Sequence, residues 1–252
     1  MGPGIEYPLL TDREPNEILV HNELMDCPYI DGEIARLPIR APTRSLTREE
    51  LDSRLCRGDR RHGTALYTPE CPNCRACEAI RLNLADYRPN KTHRRIFRKG
   101  GKVLRVTSGS LVANQSRVDL YNKHLYGRGL LCLDEEPLTL SRYRNFILTN
   151  MIPSFEIRLF LGDSLVGVAI TDCGATALSA HYTFYDPDYA HLSLGTYAIL
   201  QQVQIAEWLS MQYVYLGLYV EKSVHMRYKA RFHPHERLVG GDWRRFDGSG
   251  AD

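Results

Sequence analysis

The segment FEIRLFLGDSLVGVAITDCGATALSAHYTFYDP, residues 155–187, is the most informative about the fold class of this 252-residue chain. Its apolar residues fall into three blocks, and turn residues separate them at Gly162-Asp163 and at Cys173-Gly174. Glycine in a two-residue break between apolar runs is typical of the tight turns that join antiparallel strands. The stretch therefore predicts three antiparallel strands joined as successive hairpins.

The residues after this stretch predict a helix, a strand and a second helix. Apolar side chains between residues 194 and 210 have the spacing of one buried helix face. The run YVYLGLYV at residues 213–220 is typical of a buried strand, and a short helix is predicted at 224–230, before Pro234. This order of elements predicts an α+β fold.

The residues before the stretch predict an extended segment over about the first 25 residues, followed by three helices and one strand. The predicted elements are a helix at 45–58, a strand at 80–84, a helix at 92–99 that ends at Gly100-Gly101, and a helix at 111–129. We expect residues 1–105 to form an N-terminal region that carries the cysteines and a basic stretch. Residues 106–252 are expected to form an acetyltransferase-like (GNAT-like) mixed sheet with helices.

The charge of the chain is unevenly distributed. The net charge is only +2, but residues 36–105 contain 18 Lys and Arg against 7 acids, so they carry +11 and the remainder carries −9. Such asymmetry predicts a basic face for a polyanion. Its densest part is RPNKTHRRIFRKGGK, residues 88–102, where His93 and Phe97 are candidates for stacking on bases. The alternative is a solvated helix face.

Composition excludes some classes of protein. The chain is 43% hydrophobic and 25% charged, which is ordinary for a globular protein. No run approaches the roughly 18 to 20 apolar residues of a membrane span, and the first residues lack the pattern of a signal peptide. We therefore expect a cytoplasmic protein that has no membrane partner.

Three cysteines lie close together in CPNCRAC, residues 71–77. In a reducing compartment such a cluster indicates a metal site more than a disulfide, since thiolates bind zinc and iron–sulfur clusters. Cys71, Cys74 and Cys77 need a fourth ligand, for which Cys27 is a better candidate than Cys56 or His62. The alternative is a cluster of buried small apolar residues without metal.

Two further motifs have the residue types of a binding site. HLSLGTYAIL, residues 191–200, places Ser193 and Gly195 at the predicted start of a helix, where free N–H groups form an anion or oxyanion pocket. MRYKARFHP, residues 226–234, combines cations and a tyrosine that can hold a carboxylate. A plain serine-capped helix and an exposed amphipathic helix end are the alternatives.

These pieces, taken in order, resemble one family. The segments are CPYI (27–30), LYTPECPNCRACEAIRL (66–82), RPNKTHRRI (88–96), LSAHYTFYDPDYAHLSLGTYAIL (178–200), YVYLGLYV (213–220) and MRYKARFHP (226–234). The chain resembles the aminoacyl-tRNA–protein transferases over residues 20–240, in particular their bacterial aspartate/glutamate leucyltransferase branch. Departures from the family pattern occur at Ala180-His181 and at 223–225, close to the expected site.

The resemblance implies an aminoacyltransferase. It implies transfer of leucine from Leu-tRNA to proteins with N-terminal Asp or Glu, which marks them for N-degron degradation. The alternatives are an arginyl-tRNA–protein transferase with the same acceptors, a coenzyme-A acetyltransferase, and a non-enzymatic metal-bearing nucleic-acid binding module. No cofactor is expected for transfer, because the ester of the donor is already activated. An iron–sulfur cluster is known in eukaryotic relatives, so a cluster or zinc at the cysteines is a further expectation.

Site residues follow from the same resemblance. The expected catalytic residues are His181, Tyr182, Tyr185, Ser193 and Gly195. The expected substrate-binding residues are Arg227, Tyr228, Lys229 and Arg231. The expected tRNA-binding residues are Arg88, Lys91, Arg94, Arg95, Arg98 and Lys99. The expected metal ligands are Cys27, Cys71, Cys74 and Cys77.

Overall fold

A computed structural model of the chain describes residues 7–130, 136–149 and 151–248. The strands are β1 (Leu9–Leu10), β2 (Glu17–His21), β3 (Leu24–Asp26), β4 (Ile34–Arg36), β5 (Ile39–Pro42), β6 (Arg60–His62), β7 (Ala65–Tyr67), β8 (Glu78–Asn83), β9 (Leu104–Gly109), β10 (Ser154–Leu161), β11 (Ser164–Cys173), β12 (Ala177–Tyr185), β13 (Tyr213–Tyr219), β14 (His235–Val239) and β15 (Asp242–Phe246). The α-helices are α1 (Arg48–Cys56), α2 (Lys91–Val103), α3 (Gln115–Gly127), α4 (Leu140–Ile147) and α5 (Leu194–Trp208). Two 3₁₀ helices cover Pro187–Leu192 and Arg227–Arg231. The predicted α+β class is confirmed.

An eight-stranded sheet forms the centre of the molecule, in the order β15-β14-β8-β13-β12-β11-β10-β9. The three strands predicted at residues 155–187 are β10, β11 and β12, which pair as antiparallel neighbours. The predicted strand at 213–220 is β13, which runs parallel to β12. Helix α5, also predicted, packs against this sheet with Tyr197, Ala198 and Ile199 buried. The second-half prediction is therefore confirmed in its main elements.

The sheet also contains a strand from the first half of the chain. Strand β8 lies between β13 and β14 and pairs antiparallel with both. A smaller sheet, β1-β2-β5-β7-β6, and the hairpin β3-β4 complete the first half. The division into residues 1–105 and 106–252 stays a prediction, and any such division separates β8 from its partner strands.

The predicted end of the helix at residues 92–99 was wrong. Helix α2 continues through Gly100 and Gly101 to Val103. A Cβ atom at Gly100 would clash with the ring of Tyr197 on α5. Gly100 therefore serves the close approach of two helices, and its small size is needed there more than its flexibility.

The basic first half is less basic at its surface than its composition predicts. Five of its arginines are buried, namely Arg40, Arg54, Arg60, Arg61 and Arg81. Arg40 and Arg54 pair with the buried carboxylates Glu17 and Asp59. A count of charges along the chain does not separate such internal ion pairs from surface charge. The exposed excess is concentrated on α2.

Candidate functional site

Strands β12 and β13 pair only through their first three residues and then separate. Their last paired residues are Ser179 and Tyr215. Immediately beyond this pair, the register of β12 against β11 shifts so that His181 is an extra residue. The register of β13 against β8 shifts in the same way at Leu216. Because a bulge bends its strand and turns its side chain, the two bulges open a cleft between the strands.

The cleft has a volume of about 1180 Å³. It is lined by β12, β13, the start of α5, the 3₁₀ helix Arg227–Arg231 and strand β6. All nine residues predicted as catalytic or substrate-binding line it: His181, Tyr182, Tyr185, Ser193, Gly195, Arg227, Tyr228, Lys229 and Arg231. The structure thus brings the two motifs together, while the role of each residue stays a prediction.

The start of α5 differs from an ordinary capped helix. Ser193 has φ 55° and ψ 45°, the left-handed region, and its side chain makes no capping hydrogen bond. The first N–H groups of α5 are therefore not satisfied by this side chain. Gly195 lies close to Tyr185, since a Cβ atom there would be 3.3 Å from Cε1 of that ring. The start of α5 and the end of β12 thus form one continuous wall of the cleft.

Two aromatic residues of β12 are held by helix α3. The ring of Tyr182 stacks on Tyr121 with 5.5 Å between the ring centroids. His124 places Nδ1 at 3.0 Å from the carbonyl oxygen of Tyr185. Sequence reasoning missed Tyr121 and His124, because both lie within an ordinary helical pattern with no motif around them.

His181 enters the cleft as a neutral imidazole. Its Nε2 is buried and has no hydrogen-bond partner among the described residues. Desolvation by burial lowers the pKa of His181 to about 3, and the nearby carboxylate of Asp172 only partly opposes this. The side chain can therefore accept or donate a hydrogen bond, but it is a weak base.

Lys229 lies at the floor of the cleft and is 8% exposed. Its Nζ donates a hydrogen bond of 2.7 Å to the carbonyl oxygen of Leu218. Burial and the neighbouring charge of Arg60 lower the pKa of Lys229 to about 7. Sequence reasoning missed Arg60, although it lines the same cleft.

Helix α2 runs beside the cleft. Asn90, which caps its start, donates from Nδ2 to the carbonyl oxygen of Arg231, at 3.2 Å. Lys99, near its end, donates from Nζ to the carbonyl oxygen of His191, also at 3.2 Å. Both acceptors belong to segments that border the cleft, so α2 spans one side of it.

The cations of this helix, and Arg88 just before it, face solvent. All six predicted tRNA-binding residues are exposed, and none has an acidic partner within 4.0 Å among the described residues: Arg88, Lys91, Arg94, Arg95, Arg98 and Lys99. The prediction that His93 and Phe97 stack on bases was wrong. His93 is buried against Phe232, and Phe97 packs on Tyr197. The outer face of α2 therefore offers charge without aromatic stacking.

The four cysteines predicted as ligands lie together. Cys27, Cys71, Cys74 and Cys77 line one cavity of about 340 Å³. The side chain of Arg75 donates hydrogen bonds to the carbonyl oxygens of Cys71 and Cys74, the latter at 2.8 Å. Burial, with a smaller effect of the other three thiols, raises the pKa of Cys77 to about 12.

This cavity does not have the arrangement of a metal centre. In residues 7–130, 136–149 and 151–248, no three His, Cys, Asp or Glu side chains are grouped so that they could hold a metal ion. The cysteines share a cavity without forming a ligand set, and zinc or an iron–sulfur cluster stays a prediction.

Comparison with known proteins identifies two matching family models. Residues 25–95 match the N terminus of arginine-tRNA-protein transferase, and residues 116–239 match its C terminus. The curated relatives include three proteins named aspartate/glutamate leucyltransferase. That from Halorhodospira halophila is 35% identical over 228 residues, covering 90% of this chain and 96% of the relative. That from Pseudoalteromonas atlantica is 38% identical over 190 residues, covering 74% and 80%. That from Alkalilimnicola ehrlichii is 37% identical over 226 residues, covering 86% and 91%.

Solved structures are more distant. The C-terminal domain of a putative lysylphosphatidylglycerol synthetase from Agrobacterium fabrum has a TM-score of 0.44 and 12% identity, covering 57% of this chain and 47% of that chain. A structure from Bacillus licheniformis named L-PGS has a TM-score of 0.43 and 9% identity, with the same coverage. The acetyltransferase-like (GNAT-like) assignment stays a prediction. In the part of the chain that the structure describes, no helix is long and apolar enough to cross a membrane.

Proposed function

The chain belongs to the arginine-tRNA–protein transferase family, and from this premise we propose that it transfers leucine from Leu-tRNA to proteins with N-terminal Asp or Glu. The name shared by its curated relatives supports this choice of donor and acceptor. The new N-terminal leucine would mark the acceptor for N-degron degradation in the cytoplasm.

One observation carries the proposal. The cleft between β12 and β13 collects the residues expected for both substrates on one surface, and a helix with unpaired exposed cations runs beside it. Such a helix can bind the phosphates of a tRNA while the aminoacyl end enters the cleft. A site for a small coenzyme alone gives no reason for a basic helix at its edge.

The reaction exchanges an ester for an amide. The α-amine of the acceptor attacks the carbonyl carbon of the leucyl ester, and a tetrahedral oxyanion forms. The bond from carbon to ribose oxygen then breaks, and the amine proton ends on the released ribose hydroxyl. Since the α-amine has an ordinary pKa of about 7.7 to 8.0, a good fraction is already deprotonated at neutral pH. Positioning of the two ends therefore contributes more than strong base catalysis.

Residues around the cleft suit these steps. The N–H of Ser193 donates to the carbonyl oxygen of Ala190, whereas those of Leu194 and Gly195 are free of a serine cap and would stabilise the oxyanion. Tyr182 and Tyr185 would frame the aminoacyl end. His181, held neutral by burial, would hydrogen-bond the attacking amine as a weak proton acceptor.

Cations of the 3₁₀ helix would hold the acceptor. Lys229, with Arg227 or Arg231, would pair with the acidic side chain of the acceptor, and Tyr228 would line the same wall. The six exposed cations of the basic segment would bind tRNA phosphates: Arg88, Lys91, Arg94, Arg95, Arg98 and Lys99. No cofactor takes part in this scheme.

The charge of the cleft favours leucine over arginine as the donor residue. Arg60, Arg128, Arg227, Lys229 and Arg231 line it, and within the described residues Glu221 is its only carboxylate. A guanidinium side chain entering this surface would meet like charges, which disfavours it. An apolar leucine side chain avoids that repulsion.

The test is a transfer assay with two donors and three acceptors. Purified protein is incubated with labelled Leu-tRNA or Arg-tRNA and with peptides that begin with Asp, Glu or Ala. We expect label from Leu-tRNA on the Asp and Glu peptides only. Label from Arg-tRNA alone would establish arginyl transfer instead. Binding of tRNA without any transfer, by protein purified anaerobically, would support the nucleic-acid binding module.

A further inference from the structure

We propose that Arg60, together with Lys229, forms the site that holds the acidic side chain of the acceptor. Strand β6 of the smaller sheet would then determine acceptor specificity. The inference rests on the proposed function and adds a residue that no sequence motif of the cleft includes. It places the acidic end of the acceptor at the floor of the cleft, where β12 and β13 separate.

Two adjacent arginines of β6 differ in their partners. Arg61 is paired inside the protein, because its Nη1 lies 2.7 Å from a carboxylate oxygen of Asp172 and also contacts Ser154. Arg60 has one polar contact, from Nη1 to the hydroxyl of Ser179 at 3.4 Å, and no acidic partner among the described residues. Two arginines of one short strand thus differ in whether the protein supplies a counter-charge.

Both Arg60 and Lys229 are buried. Arg60 is 9% exposed and Lys229 is 8% exposed. Lys229 also lacks an acidic partner in the described residues, and its Nζ contacts the carbonyl oxygen of Leu218 and the sulfur of Met226. A buried charge without a counter-ion destabilises the folded state. Arg60 stays charged when buried, so its position beside Lys229 indicates that an anion from outside completes the site.

Both cations approach Gly217. A Cβ atom there would lie 2.9 Å from Nη2 of Arg60 and 3.3 Å from Nζ of Lys229. Gly217 also has φ +93°, which side-chain-bearing residues rarely adopt. The two charged groups therefore border one small volume, and a glycine keeps that volume open.

A carboxylate suits this volume better than a phosphate of the tRNA backbone. The site lies beyond the last β12–β13 pair, at the floor of the cleft, and both cations are almost fully covered. A side-chain carboxylate at the end of a peptide can reach such a floor, whereas a backbone phosphate carries a bulky sugar on each side. A guanidinium also provides two N–H donors in the geometry of a carboxylate.

The experiment compares acidic peptides with their amide counterparts in an Arg60→Gln variant. We expect kcat/KM for a peptide beginning with Asp to fall about 100-fold, as is typical when one partner of a buried charge pair is removed. For a peptide beginning with Asn, kcat/KM should change less than about threefold, because its uncharged amide forms no ion pair with Arg60 that the variant could lose. Equal losses with both peptides, or no loss with either, would overturn the proposal.

Two further variants show whether a loss of activity comes from the site or from misfolding. Arg57→Gln makes the same change at an exposed residue just after α1 and should behave as wild type. Arg60→Lys keeps the charge and should restore part of the preference for Asp over Asn. If Arg60→Lys recovers neither the preference for Asp over Asn nor the thermal stability lost in Arg60→Gln, Arg60 has a structural role and the proposal is overturned.

Direct binding separates this inference from the proposed reaction. Calorimetry with the Asp and Asn peptides, in the absence of tRNA, measures the affinity of the site for the acceptor without the transfer reaction. Preferential binding of the Asp peptide by wild type, lost in Arg60→Gln, upholds the site even if no leucine is transferred. Equal binding of both peptides by wild type overturns the site even if transfer occurs.

Discussion

Ser179 lies opposite Tyr215 in the last residue pair that joins β12 to β13. Both strands bulge directly after this pair, at His181 and at Leu216, and the cleft opens between them. The pair fixes where the sheet stops being continuous, and the bulges turn residues of both strands into the opening. The lining of the cleft therefore depends on residues within a few positions of Ser179 and Tyr215.

Gly217→Ala should lower the rate of transfer strongly and the free energy of unfolding only modestly. The backbone has φ +93° there, and the added methyl group would meet Arg60 and Lys229. Strain of this kind costs about 1 to 3 kcal/mol of unfolding free energy. The matched control is Gly32→Ala, where φ is +78° and nothing lies within 4 Å of the added atom. Chemical denaturation and transfer kinetics of both variants check this, and similar loss of activity in the two would contradict it.

His181→Gln should lower kcat less than about tenfold and leave the pH profile unchanged. The pKa of His181 is lowered to about 3 because burial disfavours its charged form. The imidazole is thus neutral throughout pH 5.5 to 9 and cannot produce an inflection in that range. Rates of transfer over this range, for wild type and variant, provide the measurement. Disappearance of an acidic limb in the variant would identify His181 as the titrating base.

Lys229→Met should abolish preference for acidic acceptors and yet stabilise the fold by about 0.5 to 2 kcal/mol at pH 7. The pKa of Lys229 is lowered from 10.5 to about 7 by burial and by Arg60, so the unfolded state binds more protons than the folded state between these values. Unfolding free energy of the wild type then gains from this group as pH rises from 7 toward 10. The advantage of the variant should shrink over the same range.

Urea unfolding of Lys229→Met at pH 7, 8 and 9 measures this effect. Lys222→Met, at an exposed position, is the matched control and should show no such trend. A variant less stable than wild type at pH 7 would mean that the hydrogen bond to Leu218 outweighs the desolvation of the charge. A constant difference between pH 7 and 9 would contradict the lowered pKa.

The double variant Arg94→Gln, Arg98→Gln should weaken binding of Leu-tRNA and reduce its dependence on salt. Each phosphate that the protein no longer neutralises lowers the slope of log K against log salt by about 0.7 to 0.9. The pair on α4, Arg142 and Arg144, is also exposed and provides the matched control. Filter binding from 50 to 200 mM salt tests both. An unchanged slope in the α2 variant would place the tRNA elsewhere.

Local patterns predicted more of the fold than of the site. The hairpins at residues 155–187 follow from turn residues such as Gly162, whose φ is +57°. Gly100 misled the prediction of a helix end, because its role depends on Tyr197, a residue distant in sequence. Arg60 could not be recognised for the same reason. Its burial and its approach to Lys229 arise only when β6 and β13 meet in the folded chain.

Cys77 should react slowly with iodoacetamide at pH 8, while Cys56 reacts readily. Burial raises the pKa of Cys77 to about 12, so its thiol stays protonated, and the thiolate is the reactive form. Cys56 is exposed and serves as the internal control. Peptide mass spectrometry after timed labelling measures both sites. Metal analysis of anaerobically purified protein distinguishes the two causes of protection. Protection that disappears on chelation would support a metal at the four cysteines, and protection that persists without metal would support burial alone.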